Sequence, residues 1–241
     1  MRINPDKCIG CEKCIIYCPL NCIVKEDKKC KIDEDECVDC GVCKRANICP
    51  TDAIFMPREC FDYPRAVRMQ FSDPCAYHPS MKSFGRGTEE AKTNDVTGKF
   101  KKGEYGLLLE FGRPCVGVRL SEIEKVTVAM RTKGLPILEE NPLFGLLEED
   151  DSGHFKKEYV NEKLLSAILE TRFKEDELET IIRTILPLLD NLSTVVSVGL
   201  VTRFANDGSL PIIKKLEDLN MNIRVRPNAK INVGLGRPLI D

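Results

Sequence analysis

Two cysteine runs constrain this chain more than anything else in its 241 residues. The first reads Cys8-x2-Cys11-x2-Cys14-x3-Cys18-Pro19, and the second reads Cys37-x2-Cys40-x2-Cys43-x5-Cys49-Pro50. Their first three cysteines repeat at an offset of 29 and the fourth at 31, so the second run carries a two-residue insertion within Lys44 to Ile48. This is an internal duplication of one unit. Of the 13 cysteines, 11 fall in the first 60 residues, and the rest of the chain is nearly free of them. The amino terminus has no apolar core of the length a secretory leader needs, and the aliphatic runs are too short to span a bilayer. A cytoplasmic chain is therefore expected. In a reducing compartment thiols stay free, so the cysteine count becomes a question of metal or redox chemistry.

Three thiolates, each two residues from the next, wrap one face of an iron–sulfur cube along a tight loop. The backbone N–H groups of that loop face the cluster sulfurs and offset their charge. Sites of four cysteines also suit zinc, but zinc does not account for a third regularly spaced cysteine in each run. Each run closes on a Pro-x-x-small-Ile tail, Cys18-Pro19-Leu20-Asn21-Cys22-Ile23 and Cys49-Pro50-Thr51-Asp52-Ala53-Ile54. On these residues the segment 1–56 resembles a bacterial-type two-[4Fe–4S] ferredoxin domain. The resemblance implies two [4Fe–4S] clusters with crossed ligation, in which the fourth cysteine of each run serves the other cluster. Cys8, Cys11, Cys14 and Cys49 would then hold one cluster, and Cys37, Cys40, Cys43 and Cys18 the other. The five residues between Cys43 and Cys49 depart from the usual three, which would change solvent access to the nearby cluster. Cys22 aligns with Ala53 and reads as a small buried residue against a cluster, and Cys30 reads as part of a strand edge. Cys60, Cys75 and Cys115 are irregularly spaced, and their role stays open between structural thiols, a third cluster and a sulfur carrier.

Residues 57–104 read as an extended connector. They hold Pro57, Pro64, Pro74 and Pro79, Gly85, Gly87, Gly98 and Gly103, and no aliphatic run beyond Ala66-Val67. A structureless stretch of this length is uncommon within a compact domain. Its interleaved aromatics, Phe61, Tyr63, Phe71, Tyr77, Phe84 and Phe100, predict that it is pinned to a surface. Residues 105–241 read as an α+β domain, with strand–helix–strand units forming a two-layer sandwich of ferredoxin-like (βαβ) topology that docks a partner. Tyr105 to Phe111 is expected as a strand. Ser121-Glu122-Ile123-Glu124 predicts a capping box opening a helix that Gly134 stops. Leu164 to Phe173 fits both periods and is read as a strand. Asp176 to Asp190 is expected as a helix that Pro187 kinks or ends. Thr194 to Phe204 reads as a buried strand, Asn206-Asp207-Gly208 as a turn and Ile212 to Leu219 as a helix. Asn222 to Arg226 and Lys230 to Val233 read as closing strands.

The formal charge of −2, the lack of Trp and an aromatic content of 6% argue against a nucleic-acid binder. Gly112-Arg113-Pro114 and Gly236-Arg237-Pro238 repeat one tripeptide, and an anion contact at Arg113 or Arg237 is weighed against a plain turn with a solvated guanidinium. His78 and His154 are expected in solvated loops. The acidic stretch Asp33-Glu34-Asp35-Glu36 reads as a solvated face, or as a dock for a basic partner. No flavin, nicotinamide or nucleotide motif is recognisable, and no catalytic residue is assigned. The leading expectation is an electron-transfer subunit that docks on a catalytic partner in an anaerobic oxidoreductase, rather than a stand-alone enzyme. Phe111-Gly112-Arg113-Pro114 and Arg226-Pro227-Asn228-Ala229-Lys230 resemble 6-hydroxynicotinate reductase-like proteins, which implies an alternative as the iron–sulfur component of such a reductase. A sulfur-insertion system using Cys60, Cys75 or Cys115 is a further alternative.

Overall fold

The fold was determined as a computed structural model that describes residues 1–85, 100–221 and 223–225. The chain mixes helices and strands in an α+β arrangement. The duplicated unit builds its amino-terminal part. Strand β1 (Arg2–Ile3) is followed by the hairpin β2 (Ile23–Glu26) and β3 (Lys29–Ile32), the short helix α1 (Val42–Arg45) and β4 (Ile54–Phe55). β1 pairs antiparallel with β4, so the start and end of the duplicated region are tied together. Met1, Ile23, Ile32, Ile54 and the cysteines form a small core of their own.

Beyond Met56, where an extended connector was expected, the chain makes a 3-10 turn (Arg58–Phe61), helix α2 (Ala66–Ser72) and the hairpin β5 (Tyr77–His78) and β6 (Ser83–Phe84). Val67 and Phe71 of α2 are buried in the main core of the molecule. Burying such a side chain contributes about 1.5–3 kcal/mol. His78, expected in a solvated loop, is only 2% exposed. Its ring packs edge-on against Phe71 with centroids 5.0 Å apart, and the apolar contact holds it inside. Gly87 and Gly98 of the same stretch lie outside the described residues.

The remainder is built on β7 (Glu104–Phe111), β8 (Val118–Arg119), α3 (Leu120–Thr132), β9 (Lys163–Leu164), β10 (Ala167–Lys174), α4 (Leu178–Leu189), β11 (Val196–Val201) and α5 (Pro211–Asp218). The sheet order is β10-β7-β11, and both outer strands run antiparallel to β7. β10, α4 and β11 therefore form one strand–helix–strand unit whose parallel strands flank β7. The second expected unit differs, because β7 and β10 are adjacent antiparallel strands on either side of α3. Tyr105, Leu107, Leu109 and Phe111 alternate along β7 and share one core with Ile123, Val126 and Met130 of α3 and Ile181, Ile182 and Ile185 of α4.

Several local expectations change. The capping box at Ser121 does not form, since α3 already includes Ser121 and its N-cap Arg119 makes no side-chain cap. The Glu124 carboxylate accepts instead from the Phe155 N–H at 2.7 Å, a tertiary partner that local reasoning cannot see. Gly134 does stop the helix, at φ 71°, and the Leu135 N–H bonds back to the Met130 carbonyl at 3.0 Å. Pro187 lies inside α4, which ends two residues later. β11 is half exposed rather than buried, because among the described residues it pairs only with β7 and forms the sheet edge. Ile223 to Val225 form no strand, and the other residues read as closing strands lie outside the described residues. Among the described residues no helix is long and apolar enough to cross a membrane.

Candidate metal centres

The cysteines of the two runs close around two separate voids. Cys18, Cys37, Cys40 and Cys43 line one, together with Met1, Leu20, Ile23 and Val38. Cys8, Cys11, Cys14 and Cys49 line the other, together with Ile3, Ile9 and Ile54. Each void holds about 320 Å³ of atom-free space, part of it open to solvent. The fourth cysteine of each run thus faces the triplet of the other run. Among the described residues, no three His, Cys, Asp or Glu side chains converge as a single ion requires. The thiols ring a space instead, which suits a cube better than a zinc ion.

Local conformation explains the loops. Gly10 sits at φ 70° between Cys8 and Cys11, and a Cβ there would lie 2.0 Å from the Lys28 carbonyl oxygen. Gly41 takes φ 69° between Cys40 and Cys43. Both turns use the left-handed region that glycine enters freely. The fourth cysteines share one device. The Cys22 N–H donates to Cys18 Sγ at 3.3 Å, and the Ala53 N–H donates to Cys49 Sγ at 3.2 Å. The alignment of Cys22 with Ala53 is therefore a structural equivalence. At Cys49, burial raises the thiol pKa, but the backbone donors of Ala53 and Thr51 outweigh it and the net shift is downward. Cys18 is lowered to about 6, chiefly by the hydrogen bond from the Cys22 thiol. Burial pushes Cys14 and Cys43 up to about 12. A donor set of thiols with N–H groups aimed at sulfur fits an iron–sulfur cluster.

Each void also has a fifth thiol: Cys22, read from the sequence as a buried residue against a cluster, and Cys30, for which the sequence implied only a strand edge. Cys22 lies 3.3 Å, sulfur to sulfur, from Cys18 and lines the first void. Cys30 lines the second, and its N–H donates to Cys8 Sγ at 3.4 Å. Cys30 is on β3 as expected, but buried. Cys60 is fully buried, 3.6 Å from the Met1 amine, whereas Cys75 and Cys115 are exposed. The extra cysteines within the first 60 residues were the available signal, but their spacing alone gave no role.

The acidic stretch is not a free face. Arg119 donates to Asp35 and Glu36 at 2.7 Å each, Lys163 also pairs with Glu36, and Arg2 donates to Glu34 at 2.8 Å. The buried Arg68 pairs with Glu162 and donates to the carbonyls of Glu34, Asp35 and Cys37 at 2.9–3.0 Å. These links fasten the Cys37 loop to the rest of the chain. Arg113 is likewise engaged, by Glu110 and Ser166 at 3.3 Å each, so its guanidinium meets a carboxylate of this chain. Arg237 and the stretch Arg226 to Lys230 lie outside the described residues. His154 is exposed, as expected, and its Nδ1 lies 3.6 Å from the Glu124 carboxylate.

Comparison with known proteins bears on the same segment. The 4Fe-4S binding domain family matches residues 1–24. The pyruvate synthase subunit PorD of Methanothermobacter marburgensis is 49% identical over 57 residues, covering 24% of this chain and 64% of that protein. A ferredoxin of Streptomyces griseus is 42% identical over 64 residues, covering 25% of this chain and 59% of that protein. The chain thus spans less than two thirds of either relative's length. A 7Fe ferredoxin of Hydrogenibacillus schlegelii is 38% identical over 64 residues, which are 24% of this chain but 80% of that ferredoxin. Through its amino-terminal segment, the chain belongs to the bacterial-type iron–sulfur ferredoxins.

Proposed function

We propose that this protein is an electron-transfer component of an oxidoreductase complex, carrying two [4Fe–4S] clusters. One cluster would be held by Cys8, Cys11, Cys14 and Cys49, the other by Cys18, Cys37, Cys40 and Cys43. The observation that carries the reading is the pair of voids, each ringed by the crossed set of four thiols. The clusters supply one-electron chemistry when bound. The chain's own residues orient the thiols, donate N–H groups to Cys18 and Cys49 and exclude water from Cys37, Cys40 and Cys43, which are buried. Cys11 is exposed, and Ile9 beside it is 65% exposed. That void is the outer end of the relay, open to a protein partner, as the similarity to a pyruvate synthase subunit suggests. The Cys37 loop, covered by α2 and Arg68, is the inner end. Residues 1–56 are the cluster-bearing segment, and 105–241 select the partner. A reducing cytoplasm suits thiols that all remain free.

Anaerobic purification with iron counting and low-temperature electron paramagnetic resonance (EPR) tests the proposal. About eight irons per chain and two interacting reduced clusters are expected. Four irons, or zinc in their place, would remove it.

A further inference from the structure

Cys37, which lines the inner void, has a buried carboxylate behind it that the equivalent loop of the outer void lacks. Cys8-Ile9-Gly10-Cys11 and Cys37-Val38-Asp39-Cys40 are equivalent loops of the duplicated unit. Gly10 and Asp39 adopt the same left-handed backbone, with φ 70° and 51°. Glycine suits that conformation best, and aspartate enters it at a cost. The second unit nevertheless places a carboxylate there. Asp39 is 0% exposed, and its Oδ1 lies 3.5 Å from Cys37 Sγ. A buried carboxylate needs paired partners. Arg65 provides them, with Nε donating to Oδ2 at 2.8 Å and Nη2 to Oδ1 at 3.3 Å. The Met1 amine pairs with the same Oδ1. Arg65 lies outside the ferredoxin segment, immediately before α2, and its side chain is 21% exposed.

We propose that Arg65 and Asp39 act as a positioning pair that sets the reduction potential of the inner cluster. The inference rests on reading the inner void as a cluster site. Reduction adds an electron to a cluster already ringed by thiolates. A carboxylate at this distance opposes the added charge, and the guanidinium cancels that opposition. The segment following the ferredoxin part thereby tunes one cluster and leaves the other alone, because Gly10 brings no charge to the outer void. With the Arg65 charge removed, Asp39 keeps only the Met1 amine as a cationic partner, and the inner cluster becomes harder to reduce. Removing the Asp39 charge makes it easier to reduce.

The test is an EPR-monitored redox titration of the anaerobic full chain with dithionite and mediators, alongside iron counting. Wild type, Arg65→Gln, Asp39→Asn and the double variant are compared. Arg65→Gln is expected to move one of the two cluster potentials down, and Asp39→Asn to move the same one up. The double variant should return it close to wild type, with the other cluster unmoved throughout. If Arg65→Gln fails to load iron, the upward shift in Asp39→Asn and its reversal in the double variant decide the matter. An unchanged potential in Asp39→Asn, or equal shifts of both clusters, would overturn the inference while leaving the two-cluster reading intact. A wild-type chain with a single cluster would overturn that reading and this pair with it.

Discussion

The Arg68 guanidinium, with its side chain 6% exposed, reaches Glu162 and three carbonyls of the Cys37 loop. Removing one member of a buried ion pair leaves the other charge unpaired, which costs about 3–5 kcal/mol. Arg68→Ala should therefore lower stability by about that amount in anaerobic urea titrations. Arg68→Lys should recover only part of the loss, because an ammonium lacks the planar fork that serves several acceptors. His78 carries a pH dependence. Its Nδ1 lies 2.9 Å from Ser80 Oγ, its Nε2 has no partner among the described residues, and burial lowers its pKa below the ordinary 6.5. The folded state thus favours the neutral ring. That contribution is complete above about pH 6.5 and is lost as the pH falls through the lower folded value. Unfolding rates at pH 7.5 and 5.5 should diverge more for wild type than for His78→Phe. Equal pH dependence in the two proteins would discount this role for the ring.

At the scale of the element, two glycines with nearly the same backbone have unequal roles. Gly10 and Gly134 take φ 70° and 71°. A Cβ at Gly10 would strike the Lys28 carbonyl at 2.0 Å, whereas one at Gly134 would meet nothing within 4 Å among the described residues. Gly134→Ala should cost only the left-handed penalty of about 1–2 kcal/mol. Gly10→Ala must displace the turn that leads into β3 or the Cys8 loop, and on the proposed two-cluster reading iron counting should show the outer cluster lost while the inner one stays. Such turns were partly legible from sequence, because Gly134 follows an apolar helical period and needs only local bonds. Glu124 was misread for the opposite reason, since its acceptor role depends on Phe155, 31 residues away. β11 was misread because β-branched composition reports strand propensity and not which edge of a sheet the strand occupies.

Across the whole molecule, the ferredoxin segment is fastened to the rest by two kinds of contact. Arg119 with Asp35 and Glu36, and Lys163 with Glu36, lie at the partly exposed margin. Arg68 and Glu162 lie inside. Partly exposed pairs are worth about 0–1 kcal/mol and weaken in salt. Glu36→Gln and 1 M salt should therefore change stability little, and amide exchange should still protect the Cys37 loop and α2 together. If high salt alone exposed that loop, the interior link would be less important than its burial implies. The sequence by itself determined the duplicated unit and the strand and helix identities with clear periods, and its resemblance implied the crossed thiol sets. Those features follow from spacing along the chain, which a cluster-binding loop or an amphipathic period imposes locally. Only the tertiary structure decided that the acidic stretch is neutralised by the chain's own Arg119 and Lys163. It also decided that Arg65 meets Asp39 and that Cys30 borders the outer void. Those facts depend on which distant surfaces meet, and burial sets the effect of each charge only once they do.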